Sequence, residues 1–474
     1  MRLLNLIPIK KNELFLIGAI FLYMAIFSFL SYKRYWAGFA NEWEDIAWIN
    51  NLYWNMLQGD WNYFYQNYIQ GTLVDFHPSI AVLIFPIFYA ILPNIYFVIM
   101  TPTIFISLAA WPLYKIAKLI WKDDISATVV AVAYLFYAPK HSIAFVEDQT
   151  LFIIPLLAFS FYAAIQGKFK LFFIFNFLIA TAKTESAIYS VLITTYFLWH
   201  YRKHEKRNLL IGQFVLLSIW SIFYLYFDLS ANATNYMQAG ERVFNIKNIY
   251  EIVYILLPLL LLPLRSSFML LVIPCVILLI TKRHFLPQQA YYLAPAIIFA
   301  FVSLILTLGK ILNTHKEYFR YILLACLFAC ILSNFMPNLI GNYLPVTDQP
   351  YKNISNISFI GKNNVFDSQF YRIDPKMKTL NQIIPQINQN DSVSATGDLL
   401  PYIPARKKIY EVFDPINDYT KSEYILITKT YQGFGAGNYY WSESGSEIFI
   451  EELKKSNEYK ILMDENNVIV FKRM

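Results

Sequence analysis

Carboxylates, a histidine and basic pairs stand in short polar stretches between long apolar runs. Asn41-Glu42-Trp43-Glu44-Asp45 opens a segment, Ile46 to Leu57, with apolar residues at helical spacing. Asn41 as N-cap, Glu44 in a capping-box position and Glu42 facing the helix dipole are ordinary helix-start chemistry. That chemistry has no use for a third acid, which leaves Asp45 open to a functional role. In Asp75-Phe76-His77-Pro78 the acid and proline also suit a turn before a helix, whereas His77 stands at a water–lipid boundary where a phosphate could be met. Glu147-Asp148 precedes an apolar run, and dipole compensation accounts for such a pair as well as function does. Lys183 and Glu185 flank the membrane edge between two short runs. Ionisable groups there default to a functional reading, with a snorkelling lysine beside a solvated glutamate as the alternative.

Other patterns carry less. Gly433-Phe434-Gly435-Ala436-Gly437 lacks the last glycine of a dinucleotide fingerprint and reads as a flexible loop. His200 and His204 have the spacing of a zinc-protease pair, but the acid, Glu205, follows the second histidine, so that site is rejected.

The elements that must hold these groups follow from composition. The chain has 474 residues, 57% hydrophobic and only 15% charged, against about 25% charged in soluble proteins. A cytosolic enzyme, a disordered chain and a disulfide scaffold are excluded; the three cysteines, Cys275, Cys326 and Cys330, all lie in apolar segments. The net charge of +7 comes from basic residues in short loops, the footprint of membrane topology rather than of nucleic-acid binding. An apolar stretch from Leu14 to Tyr32 follows Arg2, Lys10 and Lys11 without a cleavage site, so it reads as an uncleaved first span with a cytoplasmic N-terminus.

Further apolar segments run about 94–116, 124–140, 150–167, 170–183, 185–200, 208–228, 249–264, 266–281, 292–309 and 318–336. Ser79 to Leu92 is too short to cross and reads as an interfacial helix. With that assignment the Lys/Arg-rich connections, Arg202 to Arg207 above all, fall on the cytoplasmic side, giving about eleven spans and an outer C-terminal region. The acidic stretches, Lys282–His284 and Gln288–Tyr292 then share the outer face. The organisation expected is a membrane module over 1–338, with a first outer loop at 33–78 and the interfacial helix at 79–92. A soluble α/β domain at 339–474 follows, outside the cytoplasm. Its strands are expected at Ser392–Thr396, Lys408–Phe413, Tyr424–Thr428 and Ile469–Phe471, a helix at Ser446–Lys455, and a turn at Asn466-Asn467.

Several short motifs recur in order along the chain. They are Asp45-Ile46-Ala47-Trp48 with Trp54 and Gly59, Phe76-His77-Pro78, Trp111-Pro112-Leu113-Tyr114-Lys115 and Lys183-Thr184-Glu185. Tyr291-Tyr292-Leu293-Ala294-Pro295 follows, then Ser394-Ala395-Thr396 leading into Pro404-Ala405-Arg406-Lys407-Lys408-Ile409-Tyr410. In these the chain resembles the prokaryotic multi-pass membrane family designated domain of unknown function 2079, and more broadly the GT-C superfamily of membrane glycosyltransferases. It departs from the family pattern in Glu44 before the aspartate, in His77 directly before Pro78, and in Lys-Thr-Glu where Lys-Glu-Asp is usual.

The resemblance implies a GT-C-like α-helical polytopic fold and transfer of a hexosyl or pentosyl group, with inversion, from a polyprenyl-phosphate-linked donor to an envelope acceptor. It implies Asp45 as general base, and Lys282, Arg283 and His77 as the groups that neutralise the phosphate. Glu147 or Asp148 would orient the acceptor or hold a divalent cation, Mg or Mn, with Asp148 as the second catalytic acid. Glu44, Lys183, Glu185 and Tyr292 would complete the substrate site. Two other readings stand beside it: a transporter or flippase for a lipid-linked precursor, and a non-catalytic membrane subunit.

Overall fold

The computed structural model describes residues 11–38, 43–59, 84–141, 143–145, 149–238, 253, 255–281, 294–335, 371–412, 422–430, 433–435, 439–441 and 443–474. It divides into two compact units that do not follow chain order. One is Met1–Phe29 with Pro102–Phe370; the other is Leu30–Thr101 with Tyr371–Met474.

The first unit is helical. It takes in the start of α1 (Lys11–Trp36) and the end of α4 (Ile95–Leu108), followed by α5 (Ala110–Trp121), α6 (Asp124–Phe136), α7 (Ile153–Ile165), α8 (Phe169–Ala180), α9 (Thr184–His200) and α10 (Arg207–Gln238). The remaining helices are α11 (Ile273–Thr281), α12 (Ala294–Thr314) and α13 (Lys316–Leu332). Lys11–Trp36, Ile95–Trp121, Arg207–Tyr226 and Ala294–Thr314 are long and apolar enough to cross a membrane. Helices α1 and α10 leave large apolar side chains exposed, among them Phe21, Leu22, Ile219 and Ile222, a surface suited to lipid. Helix α12 is the core: Ala294 to Gly309 is buried but for half-covered Leu306, Phe301 meets Tyr134 and Tyr137 edge-on at 5.1 and 5.2 Å, and Trp121 donates to the Ile305 carbonyl at 3.0 Å. A Cβ at Gly309 would come within 2.8 Å of Ile120, so a small residue sets the close approach of α5 and α12.

Polar groups tie helices together where lipid gives no hydrophobic drive. Asn176 Nδ2 donates to Thr194 Oγ1 at 2.7 Å, and Ser190 Oγ returns a bond to the Asn176 carbonyl at 2.9 Å, joining α8 to α9. At the opposite sequence extreme, Glu13 of α1 meets Lys115 and Lys118 of α5 at 2.8 and 3.2 Å, and Lys118 meets Asp124 of α6 at 2.6 Å. Asp123 caps α6 through the amides of Ile125 and Ser126. The Trp111–Lys115 motif therefore belongs to a structural ion-pair junction.

Two expected spans take another form. Where 249–264 and 266–281 are apolar enough to be helices, the described residues are helical at Val253, Ile255 and Leu256, then Leu257–Leu259, Leu262–Arg265 and Ser267–Val272 are 3-10 turns, and α-helix resumes at Ile273. Pro258 and Pro263 remove backbone donors and Leu260 and Leu261 are left-handed (φ 53° and 56°), which breaks the helix.

The second unit contains α2 (Trp43–Leu57), α3 (Phe85–Tyr89), α14 (Lys376–Ile383), α15 (Glu443–Lys455) and the strands β1 (Val393–Ala395), β2 (Ile409–Glu411), β3 (Tyr424–Thr428), β6 (Tyr459–Glu465) and β7 (Val468–Arg473). The sheet order is β2-β1-β3-β7-β6, parallel over β2-β1-β3 and antiparallel beyond. Asn466 and Asn467, both at positive φ, make the turn between β6 and β7. Ile425, Ile427, Ile469 and Phe471 pack under Phe449, Ile450 and Leu453 of α15. The segment expected as a loop at Gly433–Gly437 is instead partly paired. Strand β4 (Gly433–Gly435) runs antiparallel to β5 (Tyr439–Trp441), because backbone pairing needs no side chain from the glycines.

Candidate functional site

Asp45 and Glu44 fall in the first turn of α2. Its helically spaced apolar residues Trp48, Ile49, Leu52, Tyr53 and Met56, expected to form a face lying on the membrane surface, are instead buried within the protein. The other side is buried too, and this is where the helix is fixed. Asn50 accepts the Tyr89 hydroxyl at 2.8 Å, and Asn51 accepts the backbone N–H of Arg406 at 2.9 Å. The Tyr53 ring lies among Phe85, Tyr89 and Phe97, and burial raises its phenol above the usual range.

Arg406 is 1% exposed. Its guanidinium donates to the carbonyls of Pro404 at 3.1 Å, Asn388 at 3.1 Å and Asp391 at 3.2 Å. Burial lowers its pKa, and the Asp391 carboxylate opposes that. The end of α1 is held as well: Tyr35 donates to the Pro401 carbonyl at 3.0 Å, its ring lies 4.9 Å from that of Tyr402, and the Asp374 amide donates to the Ala37 carbonyl at 2.8 Å. Gly38 sits at φ +91°, and a Cβ there would lie 2.7 Å from Asp374 Cβ and 3.1 Å from Met377 Cγ.

The carboxyl ends of β1 and β3 meet where the strand order reverses, the usual ligand crevice of such sheets. Asp398 occupies it and is fully engaged. It accepts Lys376 Nζ at 3.0 Å, Thr396 Oγ1 at 2.8 Å and Thr428 Oγ1 at 2.8 Å.

In the helical unit, Lys183 is buried at the extended residue before α9, and Glu185 is half-buried in the first turn, where the helix dipole favours a carboxylate. The other expected site residues, His77, Glu147, Asp148, Lys282, Arg283 and Tyr292, lie outside the described residues. Among the described residues no three His, Cys, Asp or Glu side chains gather to hold a metal.

Sequence reasoning passed over Lys140 and His141. Lys140, 1% exposed, donates to the Leu135 carbonyl at 2.8 Å and stands 3.7 Å over the Tyr23 ring. His141 Nε2 is 3.1 Å from the same carbonyl, and its ring meets Phe27 edge-on at 4.5 Å. The signal was a Lys-His pair interrupting the apolar stretch between 124 and 167.

The arrangement is an α-helical polytopic membrane fold with a small C-terminal sheet domain. Its fold is similar to that of ArnT from Cupriavidus metallidurans, solved bound to undecaprenyl phosphate: TM-score 0.57 and 9% identity, covering 96% of this chain and 98% of that one. The chain belongs to the DUF2079 family of predicted membrane proteins, matched over residues 45–230 and 227–470. Comparison with curated protein sequences gives no match.

Proposed function

We propose that this protein is an integral-membrane glycosyltransferase that moves a sugar from a polyprenyl-phosphate-linked donor to an envelope acceptor on the outer face. The observation that carries the reading is a fold shared, over nearly the whole of both chains, with a protein solved bound to undecaprenyl phosphate. In the reaction Asp45 takes the proton of an acceptor hydroxyl as its oxygen attacks the anomeric carbon. The bond from that carbon to the phosphate oxygen breaks with inversion, and polyprenyl phosphate leaves. Lys282, Arg283 and His77 neutralise the leaving phosphate; Glu147 or Asp148 orients the acceptor, and Glu44, Lys183, Glu185 and Tyr292 complete the pocket. The N-terminus is cytoplasmic and residues 339–474 lie outside.

A second reading, a transporter of a lipid-linked precursor, draws on Lys140, an ionisable group in the apolar interior. Mass spectrometry of envelope glycans and lipid-linked sugars in a deletion strain separates the two. Complementation by wild type but not by Asp45→Asn, at matched membrane expression, restores the missing sugar if the transferase reading holds. Full complementation by Asp45→Asn would sink Asp45 as the base and move transport ahead.

A further inference from the structure

The role of the C-terminal domain follows from where its hydrogen bonds go. Gly38 and Asn51 bracket Asp45 in sequence, and both are held by residues of the C-terminal region. Asp374, Lys376 and Met377 close on Gly38 with no room for a side chain: a Cβ there would stand 2.7 Å from the Cβ of Asp374 and 3.4 Å from Cε of Lys376. Lys376 is the same lysine that pairs with Asp398 at the sheet crevice, so the crevice end of the sheet reaches the chain at Gly38, just past the end of α1. On the other side of Asp45, the loop that presents its amide to Asn51 is knotted by the Arg406 guanidinium, which spends three donors on backbone carbonyls. A buried arginine used in this way rigidifies the loop, and the asparagine reads that rigidity into α2.

We propose that the C-terminal α/β domain is the positioning frame of the Asp45 segment, gripping it at Gly38 and Asn51, with Asn51, Arg406 and Tyr35 as positioning residues. This rests on the transferase reading for its consequence but not for its geometry. A general base must be held to within a fraction of an ångström of its productive place, and misplacement by about 1 Å costs on the order of 100-fold in rate.

The test uses the full-length protein in nanodiscs, with two variants. Asn51→Ala removes the acceptor of the Arg406 amide; Tyr35→Phe removes one hydrogen bond and keeps the ring. Hydrogen exchange is read on α2 and on β3 and β7. Turnover is read with the lipid-linked sugar fraction extracted from the deletion strain. In both variants the amides of Ile46 to Tyr53 are expected to exchange about tenfold faster, as the loss of one buried hydrogen bond implies, while β3 and β7 keep wild-type protection. The turnover number falls about 10- to 100-fold for Asn51→Ala, and less for Tyr35→Phe, with the donor KM unchanged. Wild-type exchange in α2 in both variants overturns the frame, whatever happens to activity. Faster exchange with undiminished turnover, while Asp45→Asn is inactive, overturns the positioning role alone. If Asp45→Asn keeps full turnover, the base assignment fails, and the exchange result still decides the frame.

Discussion

Asn51 and Arg406 stand 355 residues apart in sequence and share one buried hydrogen bond. Such a bond contributes only about 1 kcal/mol net, but an orphaned buried partner costs about 1–3 kcal/mol, so single side chains here carry weight beyond their number. The same asymmetry applies to Lys140. Its ammonium serves the Leu135 carbonyl and the face of Tyr23 at once. Lys140→Met keeps the volume and removes both, and a loss of about 1–3 kcal/mol is expected, seen as a lower melting temperature in detergent; an unchanged melting temperature would show the ammonium to be structurally idle. Asp123→Ala should cost about 1 kcal/mol through loss of the α6 cap, read the same way.

At the scale of elements, local chemistry was legible and long-range chemistry was not. Tyr424–Thr428 and the Asn466-Asn467 turn were readable because alternation and left-handed turn residues are properties of neighbouring residues. Strand β6 was not, since it is an exposed edge whose Lys, Asp and Glu break the alternation. The 3-10 turns between Leu257 and Val272 look like a span in hydropathy, and only Pro258 and Pro263 hint otherwise. For α2 the sequence shows the apolar face, but burial of Asn50, Asn51 and Asn55 on the other side depends on partners distant in the chain. Of the expected site, the placement of Lys183 and Glu185 at the start of α9 was legible from the gap between two apolar runs.

A Cβ at Gly38 meets Asp374 Cβ at 2.7 Å and at a positive φ, whereas one at Gly309 meets Ile120 Cγ2 at 2.8 Å and the Trp121 ring at 3.4 Å with no positive φ to strain it. Gly38→Ala should therefore cost more than Gly309→Ala, by about 1 kcal/mol or more. Paired melts of the two variants check the order, and a reversed order would contradict it.

For the whole molecule, the proposal requires one orientation. With basic connections inside, alkaline phosphatase fused after Met474 is active and a fluorescent protein fused there stays dark. The opposite pattern would put the C-terminal domain in the cytoplasm and remove it from an outer-face reaction. The active phosphatase fusion together with faster α2 exchange in Asn51→Ala would make the C-terminal region part of the proposed site rather than an appendage after the membrane module.

Turnover in a purified system decides whether Asp45 serves as the base of a sugar transfer. Wild-type protein and Asp45→Asn, each in nanodiscs, are given the lipid-linked sugars that accumulate in the deletion strain together with envelope acceptor from that strain. Polyprenyl phosphate is followed by mass spectrometry. The account predicts its release, with sugar on the acceptor, by wild type and a loss of at least about 100-fold in Asp45→Asn. Equal release by both proteins, or an untouched donor with wild type, would contradict it.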